Sequence, residues 1–262
     1  MKIEEIISVL ENVFPPQYQE GYDNAGIQIL AHSGDINSCL VTLDVTEDVV
    51  NEAINNHCGL ILSHHPLIFG KGLMRVAAEN YVQRIVSLCI KNGISVYSAH
   101  TNCDAVLTGT IAVMCNKLQI TDYQILQPAP HSDGNHGGGA IGMLPQEMPA
   151  QDFLLKVKNA FNCGAIRYTQ ITKPMVRKIA LCPGSGSFLL SEAIAQNADV
   201  FISGDFTYHK FFDADGKILL VDIGHYESEN GIKQIFNDIL TKNFSNFAVK
   251  ISDTNTNPIK YL

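Results

Sequence analysis

The chain of 262 residues contains no run of ten consecutive apolar residues. A membrane-crossing helix needs about 20, so none is expected. A secretory leader is not expected either. Glu4, Glu5 and Glu11 interrupt the first apolar pattern, whereas a leader needs a basic start and an uninterrupted apolar stretch. Positive charge is scarce: 18 Lys and Arg stand against 26 Asp and Glu, a net charge of −8, with a pI near 5.5. That balance excludes a broad electrostatic surface for nucleic acid or an anionic membrane. A phosphate-bearing substrate stays open, because bound divalent cations reverse the sign of a site locally. The seven cysteines are odd in number and include no CxxC pair, which reads as reduced, buried thiols in a cytoplasmic protein. Cys103, inside a His/Asp cluster, is the one with an opening to a metal. Internal repeats and low-complexity tracts are also missing. Apolar residues make up 46% and mean hydropathy is +0.07, the composition of a globular chain able to bury a core.

Periodicity predicts a helix over residues 1–14, stopped by Pro15 and Pro16. Short strands follow at 27–30, 39–43, 59–62 and 94–98, and helices at 47–55 (with Thr46 as its cap), 77–92 and 109–118. This alternation argues for a mostly parallel, layered α/β sheet. Composition changes at Gln127. The stretch 128–139, rich in Pro, Gly, Ser and Asp, reads as loop. A second α/β unit is predicted from strands at 140–144, 165–168, 176–181 and 199–202 and helices at 150–161 and 188–196. The strand at 218–223, a helix over 229–242 and a strand at 246–251 are expected to return to the first sheet. The expected fold class is therefore α/β, with two interleaved three-layer domains. Residues 1–127 and 205–262 form one, and 128–204 form a smaller inserted one.

Three strand-like runs each end in histidine with another histidine or a carboxylate close by: His64-His65, His100 with Asp104, and His225 with Glu229. In open α/β sheets, ligands sit outside the carboxyl ends of the strands. Imidazole mixed with carboxylate suits Zn, Fe, Mn, Co or Ni, whereas Mg or Ca favours an all-oxygen set. The spacing of four in the second and third clusters puts both side chains on one face of a helical turn. His64 and His65 would diverge on a regular strand. At a strand end, with Pro66 holding His65 extended, they could reach two neighbouring ions, with Glu229 or Asp104 as bridge. The competing reading is an acid–base site without metal.

Four motifs stand in order along the chain: Ser-His-His-Pro-Leu-Ile-Phe (63–69), Ala-His-Thr-Asn-x-Asp (99–104), Ser-Gly-Asp-x-x-Tyr-His (203–209) and Gly-His-Tyr-x-Ser-Glu (224–229). With Tyr22-Asp23-Asn24 ahead of them, they resemble the signatures of the GTP cyclohydrolase I type 2 homologue family, also called NIF-three-like. The resemblance spans essentially the whole chain, in the short form without a further inserted domain. Tyr22 stands where the family often has Trp, and Ser203 where it often has Thr. The resemblance implies two divalent ions per subunit held by His64, His65, Asp104, His225 and Glu229, with Glu229 bridging. It also implies a toroidal homo-hexamer with the sites facing its interior. The implied activity is hydrolysis, purine ring opening by activated water; a phosphoester or amide target fits the same residues. A non-enzymatic role in metal binding, metal handling or regulation is the alternative.

Around this set, His100 and His209 are the candidates for proton transfer, since an unperturbed imidazole titrates in the useful range. The loop 182–187, with Ser185 and Gly186, lies between a strand and a helix, where backbone N–H groups can hold a nucleotide phosphate. It matches neither a Walker A sequence nor a full GxGxxG. Ser63 has no G-x-S-x-G elbow around it, so it is not read as a nucleophile. His131 and His136 lie in a glycine-rich loop with no strand end to fix them. Glu227 reads as a solvated residue at a helix start.

Overall fold

The computed structural model describes residues 1–31 and 34–262. In chain order its first elements are α1 (Ile3–Val13), β1 (Gly26–Ile29), β2 (Ser38–Thr42), α2 (Glu47–Asn55), β3 (Leu60–Ser63), α3 (Tyr81–Lys91), β4 (Ser95–Ser98), α4 (Thr101–Asp104) and α5 (Thr110–Leu118). There follow β5 (Thr121–Pro128), β6 (Gly137–Pro149), α6 (Ala150–Ala160), β7 (Arg167–Tyr168), β8 (Met175–Leu181), α7 (Leu190–Ala195), β9 (Val200–Ser203), β10 (Leu219–Asp222), α8 (His225–Glu229), α9 (Ile232–Asn243) and β11 (Ala248–Ile251). The chain forms two compact units. Met1–Cys103 with Ile232–Pro258 make the first, and Asp104–Gly231 with Ile259–Leu262 the second.

The first unit is a five-stranded sheet in the order β1-β4-β3-β2-β11. Its inner strands are parallel and β1 is antiparallel to β4. Side chains alternate across the pleat. Leu40, Ile61 and Val96 share one register row, and they pack with Val49 and Val50 of α2 and Ile85 and Cys89 of α3. The next row, Val41, Leu62 and Tyr97, faces the other way. On that side Phe14, at the end of α1, meets Phe236 of α9 edge to face at 5.9 Å between ring centroids. Helix starts follow capping chemistry. Thr46 accepts from the Val49 N–H at 3.2 Å and Asn80 from the Gln83 N–H at 3.0 Å, each worth about 1 kcal/mol. The Asn80 cap explains why α3 begins at Tyr81 and not at Ala77.

The second unit is a six-stranded mixed sheet in the order β5-β6-β8-β9-β10-β7. Ile179, Val200 and Leu219 form one parallel row and Ala180, Phe201 and Leu220 the next. The first row joins Met114 of α5 and Phe153 and Val157 of α6 in one core. The second joins Leu190 and Ala193 of α7 in the other. The sheet is therefore covered on both faces, which is why its central strands carry unbroken apolar runs.

The unit boundaries lie elsewhere than the composition suggests. β10 does not return to the first sheet; it pairs in parallel with β9 and antiparallel with β7. Its residues are buried on both faces, so it is a central strand completing rows that β8 and β9 begin. At the other boundary, β5 pairs with β6 through the glycine-rich stretch, and only Ile125 and Leu126 of its eight residues are buried. That edge-strand pattern hid it in the sequence. The predicted helix over 229–242 is two helices, because Gly231 passes so close to Val113 that a Cβ there would stand 2.3 Å from Val113 Cγ1. Among the described residues, no helix is long and apolar enough to cross a membrane.

Candidate metal centre

In the first unit the carboxyl ends of β2, β3 and β4 lie side by side, because these strands are parallel and in register. His64 and His65 follow β3 directly and His100 follows β4 after one residue. The ladder continues past the strand ends: the Ala99 N–H donates to the Ser63 carbonyl at 3.0 Å and the His65 N–H to the Leu43 carbonyl at 2.9 Å. Ser63 is consumed by this framework. Its hydroxyl lies 2.7 Å from that of Ser98 and donates to the His65 carbonyl at 3.0 Å. The three rings converge, with centroids 4.9 Å (His64–His65), 5.3 Å (His64–His100) and 5.4 Å (His65–His100) apart. One ligand-type nitrogen from each lies within 4.8 Å of the others.

The hydrogen bonding of the rings is more informative than their proximity. His64 Nδ1 lies 2.9 Å from the Ala99 carbonyl, His65 Nδ1 2.7 Å from Asp44 Oδ1, and His100 Nδ1 2.7 Å from Asp23 Oδ1. A carbonyl only accepts, so His64 Nδ1 carries a proton, which turns Nε2 of that ring to the opposite side. The carboxylates fix the other two in the same sense. A carboxylate or carbonyl on the far ring nitrogen is the arrangement that orients a metal-binding histidine and raises its basicity. Burial alone would raise the Asp23 carboxyl, but hydrogen bonds from His100 and Thr101 and the charge of His100 outweigh it and hold it at about 2. Asp23 is thus a fixed anion behind the His100 ring. Cys103 is buried with its Sγ 3.5 Å from His64 Nδ1.

The second unit repeats the rule. His225 opens α8 after β10, and its Nδ1 lies 2.7 Å from Asp205 Oδ2. One helical turn on, Glu229 Oε2 lies 3.0 Å from His225 Nε2. The 225/229 spacing thus places both side chains on one helix face. Burial alone would lower the His225 pKa, but the hydrogen bonds and charges of Asp205 and Glu229 raise it to about 11. In the metal-free protein a proton therefore sits where a cation would bind. Glu229 is almost fully buried, and the loop after β8 closes over it. A Cβ on Gly184, whose φ is +55°, would stand 2.2 Å from Glu229 Oε1. Asp104 accepts a hydrogen bond from Thr110. The buried Cys182 thiol is pushed up, chiefly by burial and further by the charges of Asp104 and Glu229.

The remaining predicted residues fall outside these ligand clusters. His209 is exposed on the turn Tyr208–Ala214 and packs against Tyr208 and Phe212, with ring centroids 5.3 and 6.3 Å away. In the Gly/Ser loop the Gly186 N–H donates to Ser203 Oγ at 2.8 Å and the Gly184 N–H to Ser228 Oγ at 2.9 Å. Those donors are spent inside the protein, which leaves exposed Ser185 as the loop's outward group. His131 is exposed, and His136 pairs with Val106 in an isolated bridge. Sequence reasoning passed over Asp23, Asp44 and Asp205 as site residues. Their signal was position: Asp44 and Asp205 each stand two residues past the end of a parallel strand, as the histidines stand past theirs.

The donor set fits a transition-metal ion. Imidazole nitrogens with fixed tautomers and carboxylate oxygens are the ligands such ions take. Buried His, Cys, Asp and Glu groups in the structure could bind a metal ion.

Comparison with known proteins identifies the family of the chain. The family model of Duf34/NIF3 (NGG1p interacting factor 3) matches residues 1–258. A protein of Clostridium perfringens named GTP cyclohydrolase 1 type 2 homolog is 35% identical over 232 residues, covering 87% of each chain. A Staphylococcus aureus hypothetical protein superposes with a TM-score of 0.90 at 27% identity, covering 100% of this chain and 99% of that one. The fold is also that of a Bacillus cereus protein related to NIF3, with a TM-score of 0.90, 23% identity and full coverage of both chains. Over essentially its whole length, then, in sequence and in fold, this chain belongs to the Duf34/NIF3 family.

Proposed function

We propose that the chain is a metal-dependent hydrolase holding two divalent ions per subunit, with His64, His65, Asp104, His225 and Glu229 as ligands and Glu229 as the bridge. The observation that carries this reading is the tethering of imidazoles at Nδ1. His64, His65 and His225 each meet an oxygen acceptor there within 2.9 Å, the arrangement that orients a metal-binding histidine. Bound divalent ions supply the Lewis acidity that makes a nucleophile of water at neutral pH. The chain's own residues do the rest. His100, backed by the Asp23 anion, is placed to accept or return a proton beside His64 and His65. His209 is the second proton-transfer candidate, and Ser185 the candidate contact for a nucleotide phosphate.

The curated relatives carry the name of a GTP cyclohydrolase homologue, which makes GTP the first substrate to try. A phosphoester or an amide suits the same ligands. We further propose that the chain works in the cytoplasm as a homo-oligomer, a hexamer. Its seven cysteines are buried and none is in a disulfide, as suits a reducing compartment. A metal-handling role without turnover is the second reading, favoured by the deep burial of His64 and Glu229.

The test is elemental analysis of the purified protein together with formate release and loss of purine absorbance on adding GTP. About two ions per subunit with ring opening supports the hydrolase. Two ions without turnover on GTP, phosphoesters or amides supports metal handling. No metal after reconstitution overturns both. Light scattering that reports a monomer overturns the hexamer.

A further inference from the structure

We infer that Thr256, in the coil that follows β11, is a positioning residue for His65 and acts on it through Asp44; the inference rests on the metal-centre reading above. Thr256 Oγ1 donates to Asp44 Oδ2 at 2.6 Å, while the other oxygen of the same carboxylate, Oδ1, holds His65 Nδ1 at 2.7 Å. A carboxylate held by one oxygen still turns about its terminal torsion, which is soft and two-fold. A short charge-assisted bond to the second oxygen removes that freedom. The ring it orients is then fixed as well.

The same device occurs a second time in the same unit. Asp23 gives Oδ1 to His100 Nδ1 at 2.7 Å and takes Thr101 Oγ1 on Oδ2 at 2.5 Å, with the Thr101 N–H at 3.1 Å. Two rings of one cluster are thus each held by an ordered Thr–Asp–His chain. One threonine is the neighbour of its histidine. The other comes from a segment 212 residues away from Asp44 in sequence.

Anchoring of the coil does not account for Thr256. The coil is already pinned by Glu52 of α2, whose carboxylate accepts from Ser252 Oγ at 2.6 Å, Thr254 Oγ1 at 2.7 Å and the Asp253 N–H at 3.0 Å. The Thr256 hydroxyl is directed past that clamp, to the carboxylate behind a ligand. Its removal should therefore be felt in metal affinity more than in folding.

The experiment titrates zinc into the full-length metal-free protein against a chromophoric chelator and records thermal melting alongside. Thr256→Val should weaken the affected zinc site about tenfold, the low end for a lost outer-shell partner. Thr256→Ser keeps the hydroxyl and should restore the parent affinity. Thr254→Val loosens the Glu52 clamp without touching Asp44, and should lower the melting temperature without changing zinc affinity. Unchanged affinity in Thr256→Val, or an equal loss in Thr254→Val, overturns the inference. Should Thr256→Val not fold, Thr256→Ala is read by the same criteria. His65→Ala separates the two levels. Undiminished zinc binding there refutes the metal-centre reading and the inference with it. A loss in His65→Ala with none in Thr256→Val refutes the inference alone.

Discussion

Replacing Asp205 by asparagine tests the electrostatics behind His225 without changing the side chain's size. Asp205 Oδ2 lies 2.7 Å from His225 Nδ1, and Glu229 Oε2 lies 3.0 Å from Nε2. Two opposed effects follow. The asparagine carbonyl can still accept from Nδ1, but the ring loses the anion that raises its basicity. Lost outer-shell partners weaken metal affinity about 10- to 100-fold, or roughly 1.4–2.8 kcal/mol at 1.4 per decade. Against this, a metal must displace the proton on His225. That proton is held hard in the parent, where the two carboxylates outweigh burial and raise the pKa from 6.5 to about 11. The stabilisation from charged His225 in the metal-free protein is fully present below 6.5 and is lost as pH rises through about 11. Asp205→Asn lowers that pKa, so protons compete less. The affinity deficit should therefore be widest at about pH 9 and narrow toward about pH 6. Zinc titration across that range, with proton release followed in weak buffer, reads both effects. An affinity unchanged at every pH, or a deficit that widens toward acid, refutes the reasoning.

Gly184→Ala should cost about 1–2 kcal/mol for the left-handed backbone and, in addition, empty the site, because its Cβ would displace Glu229 Oε1 from 2.2 Å. Gly216→Ala, at φ +64° with open space around it, is the matched control and should lose stability but keep metal by elemental analysis. Asp199→Asn should lose about 1.5–3 kcal/mol, since its carboxylate accepts from Lys173 Nζ and the Arg177 and Lys178 N–H groups at 2.5, 2.9 and 2.9 Å. Burial alone would raise that carboxyl, but these bonds lower its pKa below 3.8. The gap between parent and variant in urea melts is thus present above 3.8 and closes as pH falls through the lower folded value. His209→Ala should leave metal content unchanged, since that ring is exposed and packs against Tyr208 and Phe212; a loss of metal would bring it into the centre.

Local chemistry made most elements legible. The 3.6-residue stripe of α1, the Thr46 cap and the apolar strands before each histidine cluster are all written in consecutive residues. What was not legible depends on pairing partners far away. Residues 218–223 read as a strand, but nothing in Ile218–Ile223 says which sheet it joins; its neighbours Val200–Ser203 and Arg167–Tyr168 decide that. The histidines were legible because imidazoles in series at strand ends are rare. Asp23, Asp44 and Asp205 were not, because a lone aspartate at a turn is ordinary. Only the 2.7 Å contact of each with an Nδ1 sets it apart. The same holds for Gly186, whose N–H looked available in the sequence and is committed to Ser203 in the fold.

Backbone conformation carries a further argument for where function presses on this fold. β8, β9 and β10 are adjacent and parallel, and each is followed within three residues by a residue in the left-handed region: Gly184 at +55°, Asp205 at +58° and Gly224 at +89°. Two are glycine, which adopts that region at little cost. The third is not. A left-handed aspartate costs of order 1 kcal/mol, a cost that glycine at this position would avoid. The carboxylate of Asp205 is what glycine could not supply, and it is the group that holds the His225 ring. The turns also lock to one another. The Gly204 N–H donates to the Gly184 carbonyl at 2.8 Å, Ser203 Oγ to the same carbonyl at 2.9 Å, and a Cβ on Gly204 would stand 2.8 Å from the His225 nitrogen. Strain accepted at one aspartate, inside a set of turns packed too closely for side chains, is what a preorganised ligand requires.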